Sequence, residues 1–300
     1  MSASTPNPPN RKVSVLALRQ KKARRQPITM LTAYDYATAL ALDRAGIDSI
    51  LVGDSLGMVV LGYENTLPVT MEEMLHHCKA VARGARRPLL IGDMPFLSYQ
   101  ISAEEAVRNA GRFLQEAGMD AVKVEGGRVR LPAIEAILAA GIPVMGHLGL
   151  TPQSVHQIGG FRTQATHAEA AERLVEEAQL LEAAGCFALV LESIPARLAQ
   201  LVSERLEIPT IGIGAGGGCD GQVLVTHDLL GLFDRFQPRF VRQYANLRSE
   251  MDRAFGEYIA DVEAGRFPAA EHSVEMEDAE WHALQARLGH GTLTTQRKAS

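Results

Sequence analysis

Six residues able to do acid–base or metal chemistry share one setting in this chain. Asp54, Asp93, Lys123, Glu125, His147 and Glu192 each follow a short apolar run or sit just inside its end. The runs are Ile50-Leu51-Val52, Pro88-Leu89-Leu90-Ile91, Ala121-Val122-Lys123-Val124, Ile142-Pro143-Val144-Met145 and Phe187-Ala188-Leu189-Val190-Leu191. Runs of that length read as strands buried on both faces of a parallel sheet. A polar residue just past such a run sits where the strand leaves the core, and open α/β sheets and barrels bind ligands at those ends. Taken singly, each acid reads as a loop residue or a helix cap. Four carboxylates and a histidine at equivalent ends point to one shared mouth. Clustered carboxylates repel and raise one another's pKa unless a proton or cation intervenes, so the pattern predicts a metal. Oxygen donors alone select a hard ion, Mg²⁺ before Mn²⁺, which leaves His147 as a hydrogen-bonding group rather than a ligand.

Lysine occurs only at positions 12, 21, 22, 79, 123 and 298, and of these only Lys123 lies inside an apolar run. A lysine facing a barrel interior must be paired or functional. It could be a Schiff-base nucleophile, or a cation that holds a substrate carboxylate. Neighbouring Glu125 favours the second role, because adjacent acids keep the amine charged. The run Gly212 to Gly218 suits either phosphate on backbone N–H groups or close backbone approach to a ligand.

The elements that must position these residues repeat: a helical pattern closed by Ala-Gly, an apolar strand, then a polar residue. The Ala-Gly pairs are Ala45-Gly46, Ala117-Gly118, Ala140-Gly141 and Ala184-Gly185. Glycine just past a helix accepts the left-handed conformation that stops it. Ile28–Thr32, Ile208–Ile213 and, weakly, Arg239–Val241 bring the predicted strands to eight. Helical patterns fall at 35–45, 70–83, 103–117, 132–140, 167–184, 195–206, 221–230 and 247–264. Eight βα units in about 250 residues is the arithmetic of a (β/α)₈ TIM barrel, with a doubly wound sheet as runner-up because strand count does not prove closure. The expected organisation is a disordered tail over 1–12, one barrel domain over 13–270 and a polar, partly helical extension over 271–300, with amphipathic Trp281–Leu288.

The chain has 300 residues, 46% hydrophobic, with a formal charge of −5. That balance argues against a nucleic-acid groove or an anionic membrane surface, and no apolar run approaches the ~18 residues of a spanning helix. Cys78, Cys186 and Cys219 are odd in number, far apart and without metal spacing, which fits a reducing compartment. No acid precedes Asp35, while Arg11, Lys12, Arg19, Lys21, Lys22, Arg24 and Arg25 are basic. An organelle transit peptide has that composition. Val13, Leu16 and Leu18 instead leave an apolar stripe to bury, which favours a helix capping the barrel and a cytoplasmic protein.

Several stretches together carry a resemblance: Thr32-Ala33-Tyr34-Asp35-Tyr36, Val52-Gly53-Asp54-Ser55-Leu56-Gly57, Thr66-Leu67-Pro68-Val69-Thr70, Asp93-Met94-Pro95-Phe96, Lys123-Val124-Glu125-Gly126-Gly127, Gly146 to Ser154 and Ile211 to Gly216. From about Val13 to Ser273 the chain resembles the 3-methyl-2-oxobutanoate (ketopantoate) hydroxymethyltransferase family. The resemblance implies a TIM barrel that transfers a hydroxymethyl group from 5,10-methylenetetrahydrofolate, as co-substrate, to 3-methyl-2-oxobutanoate. The product would be 2-dehydropantoate for pantothenate synthesis, formed through a Mg²⁺-stabilised enolate. It also implies that Asp54, Asp93 and Glu125 associate with the metal, that Asp54, Ser55, Asp93 and Lys123 contact the keto acid with His147 beside them, and that Glu192 accepts the proton. A ring-shaped homo-oligomer, a decamer, comes with it. Departures are Gly92 before Asp93, the run Gly217-Gly218-Cys219 and the tail beyond Ser273. Two rivals are a Mg²⁺-dependent C–C lyase or mutase of the phosphoenolpyruvate mutase/isocitrate lyase type, and a catalytically dead barrel kept for assembly. The lyases carry a catalytic cysteine loop that none of the three cysteines matches, and a dead barrel would have lost an acid that is present here.

Overall fold

The strands bury different things on their two faces, and that difference places the chemistry. The computed structural model describes residues 11–236 and 238–289; the tail expected to be disordered lies outside them as far as residue 10. In chain order the first half is α1 (Val15–Ala23), β1 (Ile28–Thr32), α2 (Tyr36–Ala45), β2 (Ser49–Val52), α3 (Leu56–Val59), α4 (Met71–Gly84), β3 (Leu89–Asp93), α5 (Ala103–Gln115) and β4 (Ala121–Glu125). There follow α6 (Leu131–Ala139), β5 (Val144–Gly149), α7 (Val155–Ile158), α8 (Ala168–Ala184), β6 (Ala188–Glu192), α9 (Ala196–Arg205), β7 (Thr210–Ile213), β8 (Gly221–Leu224) and α10 (Thr226–Leu229). The eight strands are parallel and close in sequence order, β8 pairing back to β1, so the fold is the TIM barrel and not the doubly wound sheet.

Outward residues such as Ile50, Leu90, Val122 and Leu189 pack in the main hydrophobic cluster with helix residues such as Phe113 and Leu181, while Met30, Ile91, Ala121, Met145 and Val190 fill a second, inner cluster. Side chains alternate along a strand. Hence β3 turns Leu89, Ile91 and then Asp93 inward, β4 turns Ala121, Lys123 and Glu125, and β6 turns Ala188, Val190 and Glu192. Each large apolar side chain buried below contributes about 1.5–3 kcal/mol, which offsets the cost of a charged layer on top. Helix signals are local: Thr70 and Glu73 form a capping box on α4, Asp35 caps α2, and Gly46 and Gly185 end α2 and α8 in the left-handed region.

α1 closes the N-terminal pole, with Leu18 fully buried in the inner cluster. Lys12, assigned above to the tail, is tied down: its ammonium donates to the Pro88 carbonyl and lies 2.6 Å from Asp120. The eighth strand needs correcting. Arg239–Val241 forms no strand, and Gly221–Leu224, expected to start a helix, is β8. A Cβ on Gly221 would lie 2.5 Å from the Ile28 carbonyl oxygen, so this glycine lets the barrel close. The glycine run before it joins β7 directly to β8 and packs on α9, where a Cβ on Gly216 would meet Ala196 at 2.4 Å.

The chain divides into two compact units, Met1–Asn246 and Leu247–Ser300. The second holds α11 (Leu247–Glu263) and α12 (Asp278–Arg287), and Arg253 of α11 pairs with Glu250 and Glu257. The amphipathic segment expected at Trp281–Leu288 falls on α12. Among the described residues, no helix is long and apolar enough to cross a membrane.

Candidate active site

Strand register brings the predicted residues together at the C-terminal mouth. Asp93 of β3 stands opposite Lys123 of β4, Glu125 opposite His147 of β5, and Gly149 opposite Glu192 of β6. Asp54 follows β2, and its backbone N–H donates to Asp93 Oδ2 at 3.1 Å. Lys123 Nζ lies 2.9 Å from Asp93 Oδ1, 3.7 Å from Glu125 Oε1 and 3.2 Å from His147 Nδ1. The imidazole bridges two acids, with Nδ1 3.4 Å from Glu125 Oε1 and Nε2 3.2 Å from Glu192 Oε2. Ser55 Oγ sits 2.8 Å from the buried Tyr34 hydroxyl. Gly149 lets β5 pass close by: a Cβ there would come within 2.2 Å of the Glu192 carbonyl oxygen. The Glu192 side chain keeps 17% exposure, whereas those of Asp93, Lys123, Glu125 and His147 keep 2–4%.

Burial and crowding set the protonation. Burial, then the charges of Asp93 and Glu125, push Asp54 well above the usual carboxylate range. Burial also raises Asp93, although Lys123 pulls it back. For Glu125 burial is outweighed by His147 and Lys123, and its pKa falls. Burial lowers Lys123, but the charges of Asp93, Glu125 and Asp54 outweigh it, so the amine stays a cation. His147 loses from burial and from Lys123, yet the carboxylates of Glu125 and Glu192 lift it to about 9. A lysine held as a cation is disfavoured as a Schiff-base nucleophile.

A divalent cation fits this donor set. Fully ionised, Asp54, Asp93, Glu125 and Glu192 carry four negative charges against two on Lys123 and His147, an excess equal to one divalent ion. Asp93 Oδ1 and Glu125 Oε1 are buried without an aligned hydrogen bond, although cations stand near them. Such atoms in a native core call for an explanation, an ion among them. Among the described residues no three His, Cys, Asp or Glu side chains form a ready-made cage. Mg²⁺ needs none, since it keeps waters and takes one or two carboxylates plus substrate oxygens. Asp54, Asp93 and Glu125 are the acids that could offer that grip, linked to one another through the Asp54 N–H and through Gln153.

Two residues to which the sequence assigned no role complete the site. Gln153, in the turn after β5, and Tyr99, after β3, are buried and bonded to each other. Gln153 lies in the Gly146–Ser154 stretch that carried the family resemblance, but no spacing marked this side chain.

A parallel eight-stranded barrel with a buried acid–lysine–histidine cluster at its C-terminal strand ends defines a TIM-barrel enzyme. Residues 12–270 match the family model for ketopantoate hydroxymethyltransferase, and the chain belongs to that family of transferases. It is 57% identical over 263 residues (88% of this chain, 97% of the relative) to the 3-methyl-2-oxobutanoate hydroxymethyltransferase of Syntrophus aciditrophicus (strain SB). It is 54% identical over 267 residues (89% and 97%) to the enzyme of that name from Enterococcus faecalis (strain ATCC 700802 / V583). Among solved structures, a phosphonopyruvate hydrolase complexed with oxalate and Mg²⁺ superposes with a TM-score of 0.56 at 14% identity (91% of this chain, 98% of that one). The 2,3-dimethylmalate lyase of the phosphoenolpyruvate mutase/isocitrate lyase superfamily gives 0.56 at 15% (92% and 98%). Those likenesses bear on the fold alone.

Proposed function

We propose that the enzyme moves a one-carbon unit from 5,10-methylenetetrahydrofolate to 3-methyl-2-oxobutanoate, yielding 2-dehydropantoate on the route to pantothenate, with Mg²⁺ (or Mn²⁺) held by Asp54 and Asp93 and balanced by Glu125. The acceptor follows from what the relatives are named for. The roles rest on one observation: Glu192 alone of the four acids opens toward the mouth, with its Oε2 3.2 Å from His147 Nε2. When bound, the metal supplies Lewis acidity that polarises the 2-oxo group and acidifies C3. Lys123 and Ser55 hold the carboxylate end of the acceptor. Glu192 takes the C3 proton on its free oxygen. The electron pair left on C3 forms the new bond to the methylene carbon of the donor as one of that carbon's two C–N bonds breaks. Water then supplies the hydroxyl oxygen as the second C–N bond breaks, and tetrahydrofolate leaves with two new N–H bonds, one proton coming from that water and the other returned from Glu192. A cytoplasmic, ring-shaped homo-oligomer completes the proposal, testable by light scattering.

Exchange of the C3 proton of 3-methyl-2-oxobutanoate into D₂O, followed by NMR without folate, tests metal, acceptor and base together. Exchange is expected with Mg²⁺ and not with chelator. In Glu192→Gln it should fall by about 10²–10⁴-fold, the usual worth of a placed general base. Undiminished exchange in that variant would put the base elsewhere.

A further inference from the structure

Gln153 is 6% exposed, and both polar groups of its side chain and its backbone N–H are hydrogen-bonded. Its amide Nε2 donates to Asp54 Oδ2 at 2.9 Å and to the Met94 carbonyl at 2.9 Å. Its Oε1 accepts from the Tyr99 hydroxyl at 2.5 Å and from Gln100 Nε2 at 3.2 Å. Its backbone N–H donates to Glu125 Oε2 at 3.0 Å. The Met94 carbonyl can only accept, so the NH₂ must face it and Asp54, and the amide has one workable orientation. Tyr99 is fixed in turn, its hydroxyl accepting from the Glu125 backbone N–H at 3.3 Å.

We infer that Gln153 is a positioning residue: it pins one oxygen of Asp54 and one of Glu125, which fixes how both carboxylates are presented within the cluster and leaves the opposite oxygen of each clear of the amide. The pinned atoms are Asp54 Oδ2 and Glu125 Oε2, and Glu125 Oε1 is a buried oxygen left without an aligned hydrogen bond. An amide suits this task where a lysine would not. It fixes a carboxylate without cancelling its charge, so the attraction for a cation survives while the rotation that would waste it is stopped. The inference rests on the metal reading proposed above and adds a residue that need not touch the ion.

The test is Mn²⁺ binding to the full chain without substrates, read from the electron paramagnetic resonance of the free ion, with turnover measured in parallel. Gln153→Met keeps the side chain's length and the backbone bond to Glu125 but deletes both amide donors. Its Mn²⁺ dissociation constant should rise roughly 10- to 100-fold, the usual loss when a partner of a metal ligand is removed. Saturating Mn²⁺ should then restore kcat, and the KM for the folate donor should stay put, a split that general loosening of the fold would not give. Tyr99→Phe, which frees the amide oxygen, should weaken binding less, and it decides the matter if Gln153→Met fails to fold. Wild-type binding with no change in either variant overturns the role of Gln153 and leaves the proposed function standing. Absence of Mn²⁺ binding by the wild type overturns the metal reading, and this inference with it.

Discussion

The two poles of the barrel use the same residue types to opposite ends. At the N-terminal pole Asp48, Asp120 and Asp220 each meet one lysine, Lys21 at 2.5 Å, Lys12 at 2.6 Å and Lys22 at 2.8 Å. Each also accepts a strand N–H, from Thr29, Leu90 and Thr210. Those acids are matched one to one and partly exposed, each taking its lysine and its strand N–H on one oxygen, so they splice strands to α1 and to the segment before it. At the mouth four acids share one lysine and one histidine, most of them are out of water, and buried oxygens lack aligned donors. Stoichiometry and burial, rather than residue type, separate a structural charge from a reactive one.

Removing one cation at each pole should separate the poles by energy. Lys123→Met leaves Asp93, Glu125 and Asp54 without their common counterion. Breaking a buried pair on one side typically costs about 3–5 kcal/mol, and urea denaturation at pH 8 in chelator should show a loss of that order. Asp54 and Asp93 have raised pKa values when folded, so the folded state binds more protons than the unfolded chain and gains stability as pH falls. The deficit should therefore shrink by pH 5. A loss below 1 kcal/mol at pH 8 would make the mouth as well compensated as the base.

His147 sharpens the comparison through pH. Its folded pKa is raised from 6.5 to about 9, so its contribution is fully present below pH 6.5 and is lost as pH rises through 9. The contribution is on the order of 3 kcal/mol, each tenfold change in proton affinity being worth about 1.4 kcal/mol. In chelator, the stability difference between wild type and His147→Asn should decline across that window. A difference flat from pH 6 to 9.5 would show a neutral imidazole.

Legibility follows the same division. The mouth could be read because an apolar run that ends in a charge carries its own register: Lys123 and Glu125 share a face through the period of two, and Asp93, His147 and Glu192 follow by pairing. The base could not. Lys22 and Asp220 are 198 residues apart and left only a basic stretch to notice. β8 was missed because four residues beginning with glycine, with Gln222 exposed, hold almost no periodic signal, and what fixes Gly221 is its contact with Ile28. Gln153 escaped because its task depends on three other elements arriving around it.

The smallest effect is expected at the base. Lys22 donates to Asp220 and to the Ser203 carbonyl, and the pair's side chains keep 13% and 20% exposure. Water can take over part of what Lys22→Met removes, and Asp220 keeps the N–H and hydroxyl of Thr210. The change should cost no more than about 1 kcal/mol, as for other partly exposed pairs, with kcat/KM unaltered. Asp220→Ala should cost more, because it orphans the Thr210 N–H at a buried strand start, where an unmade hydrogen bond is worth about 1–3 kcal/mol. Denaturation of the two variants side by side checks the order. Should Lys22→Met prove the costlier, the ion pairs and not the strand-splicing hydrogen bonds would be what holds the base together.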